Sequence, residues 1–79
     1  MDAEYLGKEA ERLSRDDVLI EAVHRIRSGA LDALVAADPN KATDIARLQA
    51  KVTVCDEFTS ELDRMIREAA PVKPRPTIV

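Results

Sequence analysis

Residues 45–69 read IARLQAKVTVCDEFTSELDRMIREA, and the pattern within them decides the fold. Ile45, Leu48, Val52, Cys55, Thr59, Leu62, Ile66 and Ala69 recur at alternating spacings of three and four. An α-helix turns once every 3.6 residues, so this spacing lays the side chains in one stripe over about three and a half heptads. A stripe so narrow and so long predicts a helix packed lengthwise on another helix.

The partner stripe lies upstream. Leu19, Val23, Ile26, Ala30, Ala33 and Ala37 repeat with the same period, in a helix expected over residues 15–37. Bulk falls along this row toward its end, where Ile45 and Leu48 of the other helix supply the volume opposite. Asp38-Pro39-Asn40 separates the two. Proline suits a first helical position and aspartate can cap it, so the second helix is expected over residues 39–70. Helices joined by so short a connection become antiparallel neighbours. The expected fold is therefore all-α, an αα-hairpin over residues 14–70. Its coiled-coil-like seam sets Leu19, Val23, Ile26 and Ala30 against Ile45, Leu48, Val52, Cys55, Leu62 and Ile66.

Two additions flank the hairpin. Residues 1–13 predict a short helix with Leu6, Ala10 and Leu13 on one side, weakened by Gly7. Isolated helices of this length barely form in water, so it must lean on something. Ser14 reads as the N-cap of the next helix, with Asp16 and Asp17 in its first turn and Leu13 stapled onto Val18. Gly29, inside that helix, reads as a site of close helix contact. The second arm would span about 48 Å against about 35 Å for the first. Met65, Ile66 and Ala69 then overhang, to be covered by the N-terminal segment or by another subunit. Beyond the hairpin, Pro71, Pro74 and Pro76 predict an extended arm over residues 71–79, finishing in Thr77-Ile78-Val79.

A second apolar row runs beside each seam. Leu31, Leu34 and Val35 form it on the first arm, and Ala46, Ala50, Val54 and Phe58 on the second. A two-helix hairpin buries one stripe per helix, which leaves these residues for a partner. The expected protein interface is thus Leu31, Leu34, Val35, Val54 and Phe58, with Val72, Pro74, Pro76, Ile78 and Val79 of the arm. Size argues the same way. Seventy-nine residues make one small domain whose core alone is marginal, and a single cysteine excludes an internal disulfide. Homo-oligomerisation, docking on a larger assembly, or both, are expected.

Composition narrows the function. Charged residues are 34% of the chain but mixed in sign, with a net charge of −3. Lys and Arg are scattered in small pairs such as Arg25 with Arg27, so nucleic acid is not the expected partner. No apolar run approaches the roughly 18 residues of a membrane span, and Asp2 and Glu4 do not suit a signal peptide. A soluble protein of the cytoplasm or of a virion is expected.

The residues that could carry chemistry do not assemble a site. Glu21-x-x-His24 has the spacing of a helical di-metal motif, but a metal bundle needs two such motifs and further carboxylates, and His24 is the sole histidine. Cys55 lies on the seam, flanked by Asp56 and Glu57, where a thiol packs as a small hydrophobe and not as a nucleophile. Glu21 with Arg25, Asp44 with Arg47, Glu61 with Arg64 and Asp63 with Arg67 fall at helical pair spacings, as on solvated faces. No glycine-rich loop is present to cradle phosphate. The reading is non-enzymatic, with no metal and no cofactor.

Leu13-Ser14-Arg15-Asp16-Asp17, Glu21-Ala22-Val23, Asp38-Pro39 and the Leu/Ala-rich second arm resemble short helical-hairpin proteins of the head and packaging region of tailed bacteriophages. The resemblance covers about residues 13–69. It implies a non-catalytic virion or assembly component, capsid- or portal-associated, present in many symmetric copies. Asp38-Pro39-Asn40 also resembles the turn of type III secretion needle subunits, which implies a filament; those subunits finish in a helix, whereas this chain finishes in Pro71-Val72-Lys73-Pro74-Arg75-Pro76 and the residues after it. A small DNA-packaging or regulatory oligomer is the third alternative, and it requires Lys and Arg to converge on one surface.

Overall fold

Three helices account for nearly all of residues 1–69, the part of the chain that the computed structural model describes. They are α1 (Ala3–Ser14), α2 (Asp17–Ala36) and α3 (Ala42–Ala69), and among the described residues there is no strand. The protein is all-α. The expected arm over residues 71–79 lies outside the described residues, and so do Val72, Pro74, Pro76, Ile78 and Val79.

α1 begins where Asp2, in extended backbone, accepts a hydrogen bond from the Glu4 amide at 3.1 Å. It continues through Ser14, whose hydroxyl donates to the Glu11 carbonyl at 2.7 Å. Ser14 therefore closes α1 and does not cap α2. That role falls to Asp16, whose carboxylate accepts from the amides of Val18 and Leu19, both at 3.0 Å. A carboxylate at the positive end of a helix gains charge as well as hydrogen bonds, and α1 has already taken Ser14 into its last turn. With the start displaced, Val18 is 79% exposed and does not staple onto Leu13.

The connection after α2 also differs from expectation. Asp38 accepts from the Asn40 amide at 2.9 Å, and the Lys41 amide donates to the Asp38 carbonyl at 3.0 Å. This is a β-turn with aspartate first and proline second, each where its geometry is favoured. Pro39 spends its fixed φ on the turn, so α3 starts at Ala42 and not at Pro39.

α3 is the spine, with 28 residues against 12 in α1 and 20 in α2. Both shorter helices pack on it and scarcely touch each other. They meet it at different points along its length. Arg27 of α2 meets Asp56 midway along α3, and Gly7 of α1 meets Ala69 at its far end. The overhang of Met65 and Ala69 is thus covered by α1.

The row from Ile45 to Ala69 faces the packed side throughout. Cys55 and Leu62 are buried, and Ile45, Leu48, Val52, Thr59, Ile66 and Ala69 are half-buried. On α2, Ala30 is buried and Leu19, Val23 and Ala33 are half-buried, as is the C-cap Ala37, but Ile26 is exposed. The buried set is completed by Gly7 and Ala10 of α1. This core is thin and made almost wholly of small residues, with Leu62 its largest side chain. The close helix contact expected at Gly29 is made by Gly7 instead: nothing lies within 4 Å of a Cβ placed on Gly29.

Candidate functional site

Between α2 and α3 runs an open groove of about 470 Å³. Val23 and Ile26 form one wall, and Ala50, Val54, Cys55 and Phe58 form the floor and the other wall. Arg47 and Lys51 complete the lining. The groove follows from helix geometry. Val54 and Phe58 are four residues apart on the row next to Cys55, so they stand beside the packed stripe and not within it. α1 meets α3 at Met65 and Ala69, toward its far end. The middle of α3 keeps this flank open, with Val54 60%, Ile26 56% and Phe58 40% exposed.

The five helical residues expected to form one interface do not share a surface. Val54 and Phe58 line the groove, whereas Leu31, Leu34 and Val35 do not. Arg27, Leu31 and Leu34 follow one another at helical spacing on α2, and Arg27 leads that row toward Asp56 on the opposite flank of α3. Leu34 is half-buried there, Leu31 is exposed, and Val35 is 89% exposed. Ile26 was expected inside the seam, and it belongs with the groove. The period alone could not separate these, because a residue one step off the centre of a stripe can face either the partner helix or solvent.

Arg27 and Asp56 form the one ion pair that joins two helices among the described residues. Arg27 Nε donates to Asp56 Oδ1 at 2.8 Å, and Nη2 lies 3.5 Å from Oδ2. The hydrogen bond and charge of Asp56 hold the guanidinium above the usual arginine range. Other pairs lie within single helices: Glu21 with Arg25 at 3.0 Å, Asp44 with Arg47 at 3.4 Å, and Arg64 with both Glu61 at 3.1 Å and Glu68 at 3.0 Å. Arg64 is likewise held above the usual range, first by its hydrogen bond to Glu68. The expected pairing of Asp63 with Arg67 is not formed, and Arg64 takes the carboxylates on that stretch. Arg12 and Arg15 also sit against Glu9 and Glu11. Arg12, Arg15, Arg25, Arg27, Arg47 and Arg64 are thus each set against at least one carboxylate.

His24 is exposed, 3.5 Å from the Ser28 hydroxyl on its own helix, while Glu21 is engaged by Arg25. The Cys55 thiol is free and buried at the back of the groove. Among the described residues, no three His, Cys, Asp or Glu side chains gather where they could hold a metal ion. None of the described helices is long and apolar enough to cross a membrane. The chain matches no protein-family profile, no curated protein and no solved structure.

Proposed function

We propose that the chain is a non-enzymatic assembly subunit, an αα-hairpin with a coiled-coil-like seam that works by burying its open α2–α3 groove against protein. One observation carries this reading: large apolar side chains at Ile26, Val54 and Phe58 stand exposed around an apolar groove, in a molecule whose buried core is mostly glycine and alanine. Small chains with so little core gain stability by association, and contiguous exposed apolar surface marks where they associate. Leu31, Leu34 and Val35 offer a second, separate contact, and the Val72 to Val79 arm a third. The resemblance of residues 13–69 to helical-hairpin proteins of phage heads supports a virion setting, attached to a capsid or portal.

The test is the solution mass of the purified chain by light scattering after size exclusion. A discrete oligomer that dissociates on Val54→Lys is the expected result. A monomer that melts cooperatively and keeps its stability on Val54→Lys would overturn the proposal, because the groove would then have nothing to bury.

A further inference from the structure

We propose that the α2–α3 groove binds one long-chain carboxylate, its hydrocarbon lying along Val23, Val54 and Phe58 and its anionic head held between Arg47 and Lys51. This goes beyond the assembly reading and does not rest on it.

The charge on the groove is of one sign and at one end. Among the described residues, its lining carries two charged side chains, Arg47 and Lys51, one turn apart on α3. The rest of the lining is apolar apart from the Cys55 thiol, a weak donor. Arg47 and Lys51 also border a neighbouring hollow of about 390 Å³, where Lys41 joins them beside Asp38 and Asp44. Both carboxylates are engaged. Asp38 accepts from the Asn40 amide at 2.9 Å, and Asp44 from Arg47 at 3.4 Å. Lys41 and Lys51 have no ion-pair partner among the described residues. A chain of net charge −3 thus keeps surplus positive charge where an apolar groove begins. Low-dielectric walls strengthen such a field, and a carboxylate takes charge-assisted hydrogen bonds from lysine and arginine.

The walls restrict the rest of the ligand. Both are helices, whose backbone groups are bonded in their own ladders. An extended peptide laid there would bury amides without partners, whereas a hydrocarbon has none to satisfy. The length agrees. Arg47 to Phe58 spans about 16 Å along α3. At about 1.2 Å per covalent bond in an extended chain, that admits about a dozen carbons. A volume of about 470 Å³ falls in the ordinary range of small-molecule sites. A cleft between two helices admits a detached chain and not a bilayer face, so the head belongs to a free fatty acid.

The test is calorimetric titration of the full chain with dodecanoate below its micelle concentration. One molecule per chain is the expected result. Octanoate and dodecyltrimethylammonium should each bind more than about tenfold more weakly, the first for its lost methylenes and the second for its head. Lys51→Glu and Arg47→Gln should each weaken dodecanoate about tenfold and leave dodecyltrimethylammonium no weaker. Circular dichroism checks that each variant keeps its helices. Equal affinity for the two heads, or indifference to both substitutions, would overturn the proposal, because apolar surface alone would then be binding. So would no binding, or binding confined to vesicles of anionic phospholipid. Solution mass is read separately, so failure of the assembly reading leaves this one standing, and the reverse holds too.

Discussion

Gly7 of α1 lies against Ala69 of α3 with no room between them for a side chain. A Cβ placed on Gly7 would collide with the Ala69 Cβ and come within 3.1 Å of the Met65 carbonyl oxygen. This contact lets α1 dock on the far end of the spine.

Gly7→Ala should accordingly destabilise the chain. The substitution gains about 1 kcal/mol of helix propensity. It also forces backbone and a short side chain apart, which costs about 1–3 kcal/mol. The clash is with groups that cannot swing away, so the net effect should be a loss, read as a lower urea midpoint and faster hydrogen exchange across α1. Gly29→Ala is the matched control. It meets nothing within 4 Å, so it should raise stability by about 0.5–1 kcal/mol.

Capping separates two residues that look interchangeable in sequence. Asp16→Ala removes the acceptor for two amides at the start of α2 and should cost about 1 kcal/mol in urea melts. Ser14→Ala removes only a hydroxyl bonded within α1 and should stay within about 0.5 kcal/mol of the parent. A larger loss at Ser14 than at Asp16 would return the cap to Ser14.

Leu62→Ala should be the most damaging single truncation. Its side chain is the largest in the buried set, and removing it from a well-packed site costs about 2–5 kcal/mol. Val35→Ser, at 89% exposure on the other flank of the molecule, should change the stability of the monomer by less than about 0.5 kcal/mol.

A double-mutant cycle on Arg27 and Asp56 should return a small favourable coupling that shrinks as salt is raised, because both side chains face solvent. The raised position of Arg27 makes its contribution fully present below the unfolded arginine range. It is lost only as pH rises through the still higher folded value. From the arginine side, stability should therefore stay flat from neutral to mildly alkaline pH. A drop of the coupling within that window would show that Asp56 is not the partner of Arg27.

The alternation of three and four from Ile45 to Ala69 was enough to identify α3 and the side on which it packs. A helix has one angular period, and apolar side chains at that period can be buried together only on one face. Asp38-Pro39-Asn40 was likewise enough to place a turn between α2 and α3, because those residue types favour a turn whatever surrounds them. Neither inference needed a distant contact. Cap positions were less legible: Ser14 and Asp16 can both accept from a helix start, and the choice depends on how far α1 extends.

The groove was decided only in three dimensions. Val54, Phe58, Leu31 and Val35 carry the same apolar signal in sequence, yet the first two share a pocket with Ile26 and the others lie on the opposite flank. The docking of α1 on the end of α3 is decided in three dimensions too, because it needs a missing side chain at Gly7. Read locally, a glycine in a helix is only a loss of propensity. Its value as space appears when Ala69, sixty-two residues further along the chain, is brought against it.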